Sequence, residues 1–264
     1  MQRLANKVAI VTGGGGRIGA ATAKRFAAEG AKVVIADLSE EGAERVATEI
    51  GDAALAVRFD AGDVESIARL VQRTVDHFGG LDILHNNAAL LDLEFLNRDR
   101  TVVDTDIEVW DRTMEVNVRG YMVACKHAIP HMRRRGGGSI INTSSGAAAA
   151  GDSSRVAYGS SKGAILVMTK YIATQHGREN IRCNAIMPGL ILDPELEPKI
   201  AELAALIKRH QLIERTGRPE DIAALAAFFA SDESGFITGQ SLRADGGVLD
   251  HQPMFADELD RQSN

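Results

Sequence analysis

The stretch KVAIVTGGGGRIG, Lys7 to Gly19, reads as a buried strand running into a glycine turn. Lys7 to Thr12 is apolar without alternation, which suits a parallel strand covered on both faces. The next residues, AATAKRFAAEGA (Ala20 to Ala31), place apolar side chains at helical spacing. Strand, glycine turn and helix in that order aim backbone N–H groups and the positive end of a helix dipole at a phosphate. Glycine permits the tight turn and lets a pyrophosphate approach the backbone. Gly13, Arg17, Ile18 and Gly19 are therefore candidate cofactor contacts. A second strand, Lys32 to Ala36, ends at Asp37, eighteen residues after Gly19. A dinucleotide-binding unit places there the carboxylate that accepts from a ribose diol.

Chemistry is suggested further along the chain by Asn117, Ser145, Tyr158 and Lys162. Tyr158 and Lys162 lie four apart in YGSSK, one turn apart on a single helix face. An ammonium beside a phenol favours the phenolate, a usable base. Moving a tyrosine from ~10 to about 7 takes roughly 4 kcal/mol of preferential stabilisation of the anion.

Taken together these motifs resemble the short-chain dehydrogenase/reductase family from about Leu4 to Leu249. The matching landmarks are TGGGGRIG, Asp37, Asp60 in RFDAGD, NNAA (Asn86 to Ala89), Asn117 in VNVRG, Ser145 in INTSSG, YGSSK, MPG (Pro188, Gly189) and a late DGG (Asp245 to Gly247). Ser145 precedes Tyr158 by thirteen residues, the family's usual spacing. The resemblance implies a Rossmann-type doubly wound α/β domain, with a seven-stranded parallel sheet and three helices on each face. It implies that Ser145 and Tyr158 flank a substrate alcohol, and that Lys162 lowers the tyrosine and holds the nicotinamide ribose. Asn117 would hold a water linking Lys162 to solvent. Asp60 and Ala61 would meet the adenine, Asn86 the adenosine ribose, and Pro188, Gly189 and Ile191 the nicotinamide. Asn87 would tether neighbouring strands.

Two positions depart from the family's pattern. Arg17 stands where the turn usually carries glycine; it can bond a cofactor phosphate, bend toward the ribose 2′-position, or turn to solvent. Asp193 stands where relatives often have threonine, and is left outside the site. Asp37 welcomes the two ribose hydroxyls of NAD and repels the 2′-phosphate of NADP. Like charges at 4 Å cost about 4 kcal/mol at an effective dielectric of 20, so NAD(H) is expected.

Length and composition agree with one domain over residues 1–264. No linker, repeat or low-complexity tract divides it. A net charge of -6 argues against a nucleic-acid partner. There is no membrane-length apolar run and no signal-peptide pattern, and Cys125 and Cys183 read as reduced packing thiols, so a cytoplasmic protein is expected. His127 and His131 have the spacing of a metal pair, but no third ligand accompanies them and no metal is expected.

Further strands are predicted at Ala54 to Phe59, Ile83 to Asn86, Ser139 to Thr143, Ile181 to Ile186 and Ser241 to Ala244. Helices are predicted at Val64 to Phe78, Trp110 to Arg134, Ala157 to His176 and Glu220 to Ala230, with Asn117 interrupting its own. Substrate specificity is assigned to loops 90–106 and 190–212, the second with a short helical pattern and the character of a lid. Leu90, Leu192 and the alanines Ala147 to Ala150 suggest a mostly apolar pocket for a secondary alcohol or ketone; steroid, alicyclic alcohol and sugar alcohol stay open. The polar tail 250–264 is either disordered or docked on a neighbour. By resemblance the chain is a homotetramer, with Val167, Met168, Tyr171 and Ile172 as an apolar outer face. The competing readings are a noncatalytic dinucleotide sensor, an NADP(H)-dependent reductase of the same fold, and an enoyl reductase or epimerase. The four-residue Tyr158–Lys162 spacing and the filled catalytic positions favour an alcohol dehydrogenase.

Overall fold

A computed structural model describes residues 2–262. Strands β1 (Val8–Thr12), β2 (Lys32–Asp37), β3 (Ala54–Arg58), β4 (Ile83–Asn86), β5 (Gly138–Thr143), β6 (Ile181–Pro188) and β7 (Ser241–Ala244) form one seven-stranded sheet in the order β3-β2-β1-β4-β5-β6-β7. Every pairing is parallel. Buried residues alternate between the faces, as a strand's two-residue period requires. Ala9, Val11, Val33 and Ile35 pack on one side with helices α1 (Arg17–Ala28), α2 (Glu40–Ile50) and α9 (Pro219–Ala230). Ile10, Val34 and Ala36 pack on the other with α3 (Val64–Phe78), α6 (Gly120–Arg134) and α7 (Val156–His176). This is the doubly wound arrangement, with its three helices per face.

Helix starts follow the local chemistry. Ser39 caps α2 by accepting from Gly42 N–H, and Asp63 caps α3 by accepting from Glu65 N–H. Gly79, at φ 82°, closes α3 in the left-handed conformation. Between the sheet helices lie α4 (Leu93–Arg98), α5 (Ile107–Met114), α8 (Ala201–Arg209) and the terminal α10 (Phe255–Gln262).

The helix expected over Trp110 to Arg134 is not uniform. Its ladder changes to a π-helical turn at Glu115–Arg119, between α5 and α6. Asn117 lies in that turn, where an extra residue per turn breaks the regular hydrogen bonding. The tail is ordered through Gln262, and its last two residues lie outside the description. It docks on its own chain: Arg209 of α8 pairs with Asp257 and Asp260, and Ala256 is buried. Of the four α7 residues expected to form the outer face, Val167 and Tyr171 are exposed. Ile172 belongs to the core and Met168 packs against it, because they fall on the sheet-facing side of the helix. The outer face expected there is thus narrower by those two residues.

Strand order reverses at β1 and β4, whose crossovers leave in opposite directions. A crevice opens at their carboxyl ends, where such sheets bind ligands.

Candidate active site

The glycine turn lines that crevice. Gly13 has φ 64°, and a Cβ there would meet Ala88 Cα at 3.0 Å. A Cβ on Gly19 would run into the Gly13 carbonyl, so helix α1 can start this close to the turn only with glycine at both places. The first-turn N–H groups of α1 have no acceptor within the helix and face the crevice end of β1. Ile18 follows Arg17 in that turn and is half-buried.

Asp37, at the end of β2, turns back onto this loop. Its carboxylate accepts from Gly15 N–H at 2.9 Å and Ser39 N–H at 2.9 Å. Asp60 accepts from its own loop at Gly62 N–H (2.7 Å), with Arg112 at 3.9 Å. Ala61 is buried beneath it, its carbonyl against Gly120. Pro188 ends β6. Gly189 backs onto Asp245 so closely that a Cβ would lie 2.7 Å from the Asp245 Cα, and Ile191 bridges to Gly217.

Two expectations about this half of the site change. The Asn86 side chain does not face the crevice. It donates to Asn142 Oδ1 at 2.9 Å inside the sheet, because its place in β4 points it at β5. Asn87, one residue on, points to the opposite side and donates to Thr12 O at 3.1 Å and Gly13 O at 3.4 Å. Asn87 also accepts from Thr143 Oγ1 at 3.4 Å, so it ties β4 to β1 and β5 as expected, while Asn86 ties β4 to β5. Arg17, for its part, stays exposed and forms an ion pair with Asp193, a contact not among the courses weighed for it. That pair straps the glycine turn to the loop after β6. Asp193 also accepts from Leu196 N–H and Glu195 N–H; first these backbone donors, then Arg17, hold its carboxyl below the usual range.

Across the crevice, β5, α7 and the π-turn bring the other four residues together. Ser145 Oγ accepts from Ala147 N–H at 3.2 Å and lines the same cavity as Tyr158. Lys162 is buried, its Nζ donating to Thr143 O at 3.0 Å. That ammonium lies 5.6 Å from the Tyr158 ring centre and 5.7 Å from that of Tyr121. Asn117 Oδ1 accepts from Leu90 N–H at 2.8 Å, and its Nδ2 donates to Ser161 Oγ at 3.0 Å. Its side chain thus joins the loop after β4 to the catalytic helix.

The electrostatics also differ from the simple lysine–phenol picture. Burial pushes the Tyr158 phenol up; the Ser145 hydrogen bond and then the charge of Arg155 pull it down. Burial pushes Lys162 down to about 7. Desolvation disfavours both charged forms, so in the cofactor-free chain it outweighs the attraction expected between them.

Sequence reading passed over two residues here and set a third aside. Asp99, buried, accepts from Ala157 N–H (2.9 Å) and Tyr158 N–H (2.8 Å), capping α7. Arg155, before α7, has a left-handed backbone at φ 64° and ψ 41°. Asp193 was weighed and set aside. None belongs to a motif, and each acts across more than fifty residues or through backbone shape, which no local pattern announces.

A cavity of about 830 Å³ opens beside Tyr158 and Ser145. It is lined by the alanine run Ala147 to Ala150, by residues 151–156 and by Arg100 to Val102. Leu90 and Leu192 are not among its lining residues. The loop after β4 therefore contributes to it, while Gly189 represents the second loop's start. Among the described residues no cluster of histidine, cysteine and carboxylate side chains could hold a metal, and no helix is long and apolar enough to cross a membrane.

Comparison with known proteins agrees with this geometry. Residues 15–249 match the family model described as enoyl-(acyl carrier protein) reductase. The chain is 45% identical to a probable short-chain type dehydrogenase/reductase of Bradyrhizobium diazoefficiens, covering 97% of this chain and 92% of the relative. It is 39% identical to a 7alpha-hydroxysteroid dehydrogenase of Bacteroides fragilis, covering 96% and 98%. With a cis-4-hydroxycyclohexanecarboxylate dehydrogenase of Sinomonas cyclohexanicum it shares 37% identity over 93% and 98%. The chain belongs to the short-chain dehydrogenase/reductase family. It is an oxidoreductase of hydroxyl and carbonyl compounds, and its family uses a nicotinamide dinucleotide, NAD or NADP.

Proposed function

We propose that this protein is an NAD(H)-dependent dehydrogenase interconverting a secondary ring alcohol and its ketone. The observation that carries the reading is Ser145 and Tyr158 at the wall of one cavity, with the Lys162 ammonium 5.6 Å from the Tyr158 ring and a glycine turn that closes on Asp37. The glycine turn is a cradle for a pyrophosphate, and the single bond made by the Lys162 ammonium leaves two of its three donors for ribose hydroxyls. A nicotinamide bound there supplies the hydride acceptor and, when oxidised, a positive charge. Ser145 orients the substrate oxygen, and Tyr158 takes the hydroxyl proton as hydride leaves the carbinol carbon. Lys162, charged again once hydroxyl acceptors reach it, favours the phenolate. Asn117 fixes the catalytic helix against the substrate loop. Gly13, Ile18, Gly19, Asn87, Pro188, Gly189 and Ile191 line the dinucleotide, with Asp60 and Ala61 at its adenine end.

The NAD preference rests on charge: the Asp37 carboxylate faces the turn, Arg17 is already paired with Asp193, and Arg45 of α2 donates to Gly15 O at 3.0 Å and pairs with Glu49. The same chain carries cofactor and substrate sites in one domain, with a cytoplasmic place and a tetrameric assembly as the family suggests. The steroid and cyclohexane relatives favour a ring alcohol over a sugar alcohol. Oxidation of a panel of cyclic secondary alcohols, followed at the absorbance of reduced nicotinamide with NAD⁺ and NADP⁺ in parallel, tests the reading. Turnover with NAD⁺ at least tenfold more efficient than with NADP⁺ is expected. A clear NADP⁺ preference overturns the cofactor assignment.

A further inference from the structure

The cavity beside Tyr158 is not simply apolar. Arg100 and Arg155 both line it, and neither guanidinium makes a hydrogen bond or ion pair among the described residues. Carboxylates are plentiful nearby: Arg98, two residues before Arg100, pairs with Asp106 and Glu108. The chain as a whole carries a net charge of -6. Two unpartnered cations beside a reactive hydroxyl therefore run against the surface around them.

Their backbones are fixed to each other and to the catalytic helix. Arg155 N–H donates to Asp99 O at 3.0 Å and Val156 N–H to Arg100 O at 3.4 Å, while the Asp99 carboxylate holds the amides of Ala157 and Tyr158. A left-handed backbone is unfavourable for a residue other than glycine and persists where surrounding contacts over-determine it. Here those contacts place Arg155 one turn before Tyr158. Because Asp99 already occupies the first amides of α7, the helix end itself has little left to offer an anion. The guanidiniums supply the free donors. Asp152 lines the same cavity, its carboxylate accepting from Ser153 N–H at 2.6 Å and Ser153 Oγ at 3.3 Å. Two cations and one anion leave a single uncompensated positive charge, which matches a monoanion better than a phosphate dianion. Planar guanidiniums suit the two oxygens of a carboxylate.

We propose that the substrate is a hydroxy or oxo acid, whose carboxylate is received by Arg100 and Arg155 while its carbinol lies between Ser145 and Tyr158. This rests on the dehydrogenase reading and names its substrate class. The experiment compares kcat/KM for 4-hydroxycyclohexanecarboxylate and for its uncharged carboxamide, with the preferred dinucleotide. The acid is expected to be favoured at least about tenfold, and the preference to shrink with added salt. Arg155→Asn, which tolerates the left-handed backbone, and Arg100→Gln should each cut the acid-to-amide ratio about fivefold or more, through KM; Arg155→Lys should retain part of it. As a reading free of turnover, cyclohexanecarboxylate should raise the melting temperature of the dinucleotide-saturated protein more than cyclohexanecarboxamide does. Equal use of acid and amide, or a ratio unmoved by both arginine variants, overturns the proposal and leaves the dehydrogenase reading standing. Failure of every alcohol with either dinucleotide removes that reading and this proposal with it.

Discussion

Tyr158 is half-buried between a hydroxyl and two cations, and its proton affinity is the balance of those neighbours against desolvation. Tyr158→Phe removes the proton carrier without altering the ring's packing, so turnover should fall at least ~10²-fold while the melting temperature stays put. Steady-state rates within about threefold of wild type would sink the assignment. His85 offers a different titration. It is wholly buried in β4, with Nε2 3.0 Å from Thr143 Oγ1 and Nδ1 without a partner, and burial lowers its pKa from 6.5 to about 3. The unfolded chain takes up a proton near 6.5, whereas the folded chain stays neutral until about 3. Stability is therefore lost as pH falls through that window, by ~2 kcal/mol between pH 7 and 5 from this residue alone. Denaturant melts at the two pH values should show the loss, and His85→Leu should flatten it. Ser145, Tyr158 and Lys162 were legible in the sequence because their spacing carries their chemistry. The neighbours that set their proton affinities were not, since burial and the approach of Arg155 depend on tertiary packing.

Among the elements, α7 carries the reactive side chains and depends on a residue far away in sequence. Replacing Asp99 by Ala strips the acceptor from two first-turn amides, at a cost of ~1–2 kcal/mol. The melting temperature should drop by about 2–8 °C for a chain of this length, and turnover should fall with it as Tyr158 loses its anchor. Asp99→Asn keeps one acceptor oxygen and should recover part of both. The bounds of α3, β4 and β7 were read correctly from periodicity and flanking glycines. The π-turn at Asn117 was visible only as an interruption. The inward turn of the Asn86 side chain escaped because only β4's pairing with β5 sets which face each residue of the strand takes.

At the scale of the molecule, a parallel sheet follows from alternating strands and helices with unbroken apolar strands. The contacts of the tail with α8 do not, because they join charged groups that a polar segment would equally offer to water. Val167 and Tyr171 leave an exposed apolar strip on α7, 55% and 64% accessible. We expect light scattering at micromolar concentration to give the mass of a tetramer, and Val167→Asp with Tyr171→Asp to lower it. A wild-type monomer would count against that assembly.

The two thiols have a use of their own. Cys125 and Cys183 are free and buried, and their sulfurs accept at 3.5 Å from Asn86 and Asn142, the amide pair at the centre of the sheet. Burial pushes the Cys125 thiol up to about 12 and Cys183 higher than an ordinary cysteine. Neither can meet an alkylating reagent as thiolate until its own element, α6 for Cys125 and β6 for Cys183, opens. Labelling kinetics would then serve as an internal clock, each alkylated sulfur recording one opening of its element.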